Sequence, residues 1–293
     1  MTIKKIILGV TENNYSVICY QLAPRVELLA CQIYDKKEFT VKALKQFLAE
    51  QDLHQVEASI ILGSQLYRIL MMDRPNIKDE ELAQAAKWLA KDLIKENVDN
   101  VVLDAFPAVE RASKVNKLYI VIANKQYLQD LYDMCFVAGV NLKEITIAEF
   151  GFLLLAPSEN QVSLVVYALG GGGVRVLIIY NNEIDFIRNI KIKSAIEQEN
   201  NTRCEEVALE LNRSMDFYAT QFGESVKEIL CVPSQFFSGN FVEMLKQTLT
   251  VNVGLLYKND FSEFLDDSRW DEHIMAFGLI TEENVEYKNV AKN

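Results

Sequence analysis

The sequence predicts an internally duplicated α/β chain built as two halves. Residues 3–34 and 162–192 each read as three short strands joined by tight turns, and a helical pattern and a further strand follow each set. A block of alternating strand and helix patterns interrupts the first half alone. Identity between the halves is negligible, so the duplication, with a cleft between the halves, rests on the order of elements. With 293 residues, half of them hydrophobic, the chain is long enough for full cores without disulfide or metal staples.

The first meander runs IKKIILGVT, a turn at Glu12-Asn13-Asn14, YSVICYQL, a turn at Ala23-Pro24-Arg25, and VELLACQIY. Val41, Leu44, Phe47 and Leu48 then recur at helical spacing, and Ala58 to Leu62 reads as a strand. In the interrupting block, Gln65 to Asp73 predicts a strand, Ile77 to Asn97 a helix, Val101 to Ala108 and Lys117 to Ala123 strands, and Lys125 to Val137 a helix: a βαββα unit. Acidic residues occupy the first turn of its first helix, where the macrodipole favours negative charge, and Leu82, Ala86, Leu89 and Leu93 form the expected buried stripe. Trp88 lies off that stripe, either packed within the chain or marking a partner surface. Gly139 fits a helix stop, Leu142 to Ala148 a returning strand, and Glu149 to Ala156 a short apolar helix ending at Pro157.

The boundary between halves falls at residues 158–161. Beyond it, Ser163 to Leu169, Val174 to Tyr180 and Ile184 to Ile192 are apolar on both strand faces, which belongs to a sheet covered on both sides. The first two runs are joined by Gly170 to Gly173, either a hairpin tip or a bare-backbone phosphate loop, and the last two by Asn181-Asn182. A helix over Arg203 to Phe222, a strand over Val226 to Val232, a helix over Phe241 to Leu249, an apolar segment over Val251 to Tyr257 and a helix over His273 to Ile280 complete the pattern. The polar end from Thr281 to Asn293 is expected to fray.

A net charge of −11 argues against nucleic acid and against direct membrane attachment, because both surfaces are anionic. Five scattered cysteines without a C-x-x-C pair read as reduced core thiols of a cytoplasmic protein, and no signal sequence or spanning run is evident. His54 and His273 lack ligands at zinc spacing, and neither a G-x-S-x-G elbow nor a Walker lysine is present, so no metal site and no catalytic residue is expected.

Taken in order, YRILMMDRPNIKDEELAQAAKWLAKDLI, VVLDAFP, LYIVIANKQYLQDLYDMCFVAGVNLKEITIAEFGFLLL, the two meanders, LELNRSMDFYATQF and HIMAFGLI resemble the PilM family of type IV pilus assembly proteins, its MSHA-pilus branch in particular. The cytoplasmic portion of the type II secretion L component is a cousin. The resemblance runs over nearly the whole chain and implies an actin-like (ribonuclease H-like, duplicated) fold. Residues 1–157 would form the first half, with the inserted subdomain over about 65–141, and residues 158–293 the second.

In that fold the first hairpin of each half is a phosphate loop carrying an aspartate, a glycine and small hydroxyls, which serve the cation and the phosphates. Here the aspartate positions fall on Thr11 in GVTENNYS, with Glu12 the nearest acid, and on Ala168 in YALGGGGVR. The remaining candidate contacts of this degenerate site are Thr11, Asn13, Gly170, Gly171, Gly172 and Gly173. A glycine-rich turn that would hold adenosine is replaced by CVPSQFFSGN, with Pro233, Phe236 and Phe237. A charge-assisted contact is worth about 1.5–3 kcal/mol, so losing two carboxylates lowers nucleotide affinity by a few orders of magnitude.

The resemblance therefore implies a non-catalytic cytoplasmic scaffold without a bound cofactor, ATP being at most a weak ligand. Its expected partners are the cytoplasmic N-terminus of a single-pass inner-membrane protein, PilN-like or MshJ-like, received near the inserted subdomain, and the assembly ATPase. One alternative is a nucleotide-switched ATPase, resting on the glycine loop and the fold. The other is a type II secretion L-like domain, disfavoured because that component continues into a membrane-spanning helix.

Overall fold

The structure is a computed structural model and describes residues 3–22, 26–91, 93–94, 97–108, 117–157, 160–169, 172–193, 200–256 and 273–280. The expected turn at residues 23–25 and the polar tail at 281–293 lie outside the described residues.

Both meanders form. Strand β1 (Lys4–Val10) pairs antiparallel with β2 (Asn14–Gln21), Val10 opposite Tyr15, and β2 pairs in turn with β3 (Glu27–Asp35). Helix α1 (Val41–Glu50) starts where the Thr40 hydroxyl accepts the Ala43 amide at 3.3 Å, and it buries Leu44, Phe47 and Leu48. Strand β4 (Glu57–Leu62) then lies parallel to β1. The inserted block supplies β5 (Tyr67–Asp73), α2 (Asp79–Ala90), β6 (Val101–Pro107) and β7 (Lys117–Asn124), with the strands in the order β5-β7-β6.

Helix α3 (Lys125–Ala138) follows, capped by Asn124, whose Oδ1 accepts the Tyr127 amide at 2.9 Å. It is stopped by Gly139 at φ +82°, a left-handed conformation that glycine adopts without a Cβ penalty. The block keeps the expected βαββα order, yet its last helix packs on α1 and on β8 (Asn141–Ile147), the strand that closes the five-stranded sheet β3-β2-β1-β4-β8. Helix α4 (Ala148–Leu155) comes next.

The second half repeats the plan. Strands β9 (Val162–Ala168), β10 (Gly173–Tyr180) and β11 (Glu183–Lys191) form the meander. Asn181 and Asn182, both at positive φ, make the tight turn that the right-handed strand twist requires. Helix α5 (Asn200–Phe222), β12 (Val226–Cys231), α6 (Gly239–Thr248) and β13 (Asn252–Leu255) complete a sheet ordered β11-β10-β9-β12-β13. This matches the first sheet position for position, with α6 packed on α5 and β13 as α3 packs on α1 and β8. A last helix, α7, spans 274–280.

Alternation explains why these strands are apolar throughout. Val162, Leu164 and Val166 enter a core with Val207, Leu211 and Tyr218 of α5 and Phe241 and Leu245 of α6. Val165 and Tyr167, on the opposite face, are also buried, and the Tyr167 ring lies 4.7 Å from Phe152. Each such side chain contributes about 1.5–3 kcal/mol on burial.

The described residues divide into two compact units, the first within Met1–Phe106, Tyr119–Gly151 and Asp267–Asn293, the second within Pro107–Leu118 and Phe152–Asp266. Helix α7 belongs to the first unit although it follows the second meander in sequence. A Cβ on Gly278 would sit 2.0 Å from the Gly151 carbonyl oxygen of α4, so α4 and α7 meet backbone to backbone.

Helix α2 departs from expectation. It ends at Ala90 rather than continuing toward Asn97, and the buried positions are Leu82, Ala86 and Ala90, with Leu89 half-buried and Leu93 exposed. An i, i+4, i+8 ridge with two alanines thus points inward, and Leu93, beyond the helix end, drops off the stripe. Trp88 is 76% exposed, with the Lys91 ammonium 5.8 Å from its ring centroid, so it is not packed into a core of the described residues.

Candidate functional site

The first hairpin turn is held by Thr11. Its hydroxyl donates to the Asn14 carbonyl at 3.2 Å and accepts the Asn14 amide at 3.1 Å, while its own amide reaches the Asn14 carbonyl at 2.9 Å. The side chain is buried and engaged in closing its own turn. Glu12 and Asn13 are exposed, and the Asn13 carbonyl accepts the Lys36 amide at 2.7 Å.

Beneath this turn lies a pair that sequence reasoning missed. Ser16 Oγ and His273 Nδ1 are 3.0 Å apart, both wholly buried, and they fill the space a Cβ on Gly9 would occupy. These residues are 257 positions apart, and no local pattern links them.

A second missed group joins the inserted block to the sheet. Glu149, in the first turn of α4, is fully buried, and Tyr67 at the start of β5 donates its hydroxyl to Glu149 Oε2 while accepting the Ala148 amide at 3.2 Å. A carboxylate in that turn also benefits from the positive end of the helix.

In the second unit, Gly172 and Gly173 have backbone reasons to be glycine. Gly172 sits at φ +83°, and a Cβ on Gly173 would lie 2.9 Å from the Ile190 carbonyl of β11. The Leu169 amide closes the loop on the Gly173 carbonyl at 2.8 Å. Gly170 and Gly171 lie outside the described residues. Ala168, at the expected aspartate position, pairs with Val174 across the hairpin. Next to Val174, the buried Arg175 donates Nε to Asn189 Oδ1 at 2.6 Å and stands over the Tyr167 ring at 5.9 Å.

The stretch after β12, where a nucleoside would need open space, is filled. Phe236, Phe237 and Phe241 are buried with ring centroids 4.8–5.9 Å apart, and the Arg203 guanidinium of α5 lies 4.9 Å from the Phe236 and Phe241 rings alike. The Phe237 amide bonds the Ser234 hydroxyl at 3.0 Å, fixing the loop on itself. A guanidinium over two aromatic rings gains cation–π attraction while its stem covers apolar surface.

Thr11 and Asn13 therefore belong to one unit and the glycine loop to the other. Among the described residues, no three His, Cys, Asp or Glu side chains converge to hold a metal ion, and no helix is long and apolar enough to cross a membrane.

No family model and no curated protein matches the chain. Solved structures do. PilM in the PilM-PilN type IV pilus biogenesis complex superposes with a TM-score of 0.67 at 16% identity, over 96% of this chain and 98% of that one. The cytoplasmic domain of EpsL, an inner membrane component of the type II secretion system of Vibrio cholerae, gives 0.54 at 12% identity over 97% and 95%. A protein of unknown function with an actin-like ATPase fold from Bacteroides thetaiotaomicron gives 0.54 at 10% identity over 90% and 96%. The fold of this chain is actin-like.

Proposed function

We propose that this actin-like chain is a cytoplasmic scaffold of a type IV pilus assembly machine, of the MSHA type and MshI-like. In this reading it binds the cytoplasmic N-terminus of a single-pass inner-membrane partner, PilN-like or MshJ-like, is recruited to the membrane through it, and touches the assembly ATPase. The observation that carries the reading is the likeness to PilM, in a complex with PilN, over almost the full length of both chains. Thr11 and Ala168 in place of carboxylates, the Thr11 hydroxyl engaged in its own turn and the aromatic filling after β12 support a scaffold that does not turn over ATP.

The test is fluorescence anisotropy with a labelled peptide copying the cytoplasmic N-terminus of a PilN-like protein. Saturable binding that an unlabelled copy displaces is expected. No binding to the folded protein would sink the reading. The likeness to the EpsL domain favours a second reading, a cytoplasmic component of a type II secretion system. Capture of that system's ATPase from cell extract, with no pilus component retained, would select it.

A further inference from the structure

Beside the start of β8, the terminal strand of its sheet, the first unit carries an open cavity of about 480 Å³ lined by Gln55, Tyr132, Phe136, Val140 and Leu142. Its apolar wall comes from α3. Tyr132 and Phe136, one helical turn apart, stack with centroids 6.4 Å apart, yet they are 48% and 72% exposed, and the adjacent Val137 is 55% exposed. Contiguous apolar exposure of this kind marks interaction surfaces.

Acidic side chains flank it along the chain. Asp133 follows Tyr132 on α3, exposed, its Oδ1 accepting from Gln129 at 2.9 Å, and Asp52, with His54 at 3.7 Å, precedes Gln55. No basic side chain occupies the last turn of α1 or α3, so the negative ends of both helix dipoles point to this edge. The neighbouring cations are engaged elsewhere. Lys143 and Lys5 are held by Glu57 at 2.8 and 3.9 Å, and Lys4 donates to the Gln51 carbonyl at 3.0 Å.

We propose that this groove receives a basic segment of a partner protein, with one apolar or aromatic side chain seated in the cavity and flanking lysines or arginines facing Asp133 and Asp52. A cationic occupant follows from charge complementarity, and a second copy of a chain of net charge −11 is disfavoured by the same field. The outer edge of β8 lets such a segment add as a further strand. The site goes beyond the partner contact proposed above. The inserted block joins the sheet after β4 and before α3, whereas the cavity lies before β4 and after α3, at the opposite ends of both elements.

The experiment uses the full chain and a fluorescein-labelled octapeptide, KKLWKLKK, followed by anisotropy at near-physiological salt, with its acidic counterpart EELWELEE as control. Saturable binding of the basic peptide alone is expected. Phe136→Ala and Asp133→Lys are each expected to weaken it by about tenfold or more, because anchors and facing charges dominate such contacts. Leu209→Ala, at an exposed site on α5, is expected to leave it unchanged. Both groove positions are exposed, so unaltered melting will confirm folded variants. Absence of binding, equal binding by the groove variants, or equal binding of EELWELEE overturns the proposal. So does a wild-type dimer in sedimentation that Phe136→Ala dissolves, since the occupant is then a second copy.

Discussion

A Cβ on Gly278 has nowhere to go: the nearest atoms are the carbonyl oxygen, carbonyl carbon and Cα of Gly151, at 2.0 to 2.8 Å, all backbone. Gly278→Ala must push α4 and α7 apart, and urea unfolding is expected to show a loss of about 3 kcal/mol or more, at the upper end for overpacking. Trp88→Ala, by contrast, removes an exposed side chain and should leave stability within about 0.5 kcal/mol. The thiols give a pH-dependent outcome. Burial pushes Cys19, Cys31 and Cys135 up to about 11 and Cys231 to about 12, and raises Cys204 as well. At pH 8 a thiol with a pKa near 11 is only about 0.1% thiolate, so iodoacetamide should label the native protein slowly, faster as pH climbs toward 11, and all five cysteines quickly in denaturant.

Among elements, the junction of the inserted block with the sheet depends on Tyr67 and Glu149. Tyr67→Phe withdraws a donor from a buried carboxylate, and a loss of about 1–3 kcal/mol is expected. Hydrogen exchange should show β5 and the first turn of α4 losing protection ahead of the five-stranded sheet. A Tyr67→Phe/Glu149→Gln double-mutant cycle isolates the pair, and additive effects would show that it carries no coupling. The meanders and the stop at Gly139 were legible because turn residues and periodicity are local. Helix α2 misled because two stripes competed. Leu82 and Ala86 are buried as expected, but leucines at 89 and 93 outweigh Ala90 in any hydrophobic count, whereas the packed helix turned Ala90 inward and ended before Leu93.

For the whole molecule, the scaffold reading predicts that MgATP binds weakly or not at all. A ligand present at about its Kd adds only about 0.4 kcal/mol, so the melting temperature at about 1 mM MgATP should move by about 1 °C or less. A shift of several degrees with matching heat in calorimetry would restore the nucleotide-switch reading. The sequence by itself determined the order of elements and its repetition in the two halves, the glycine and asparagine turns and the absence of aspartate at Thr11 and Ala168, because each follows from residue type and short-range spacing. Only the tertiary structure decided the strand order β3-β2-β1-β4-β8 and its repeat, that α3 packs as the first sheet's counterpart of α6, that α7 joins the first unit, that Ser16 meets His273 and Tyr67 meets Glu149, and that Arg203 lies over two phenylalanine rings. Those pairings span from tens of residues to more than two hundred, and they arise because close packing and buried polar groups must be satisfied in space, which spacing along a chain does not encode.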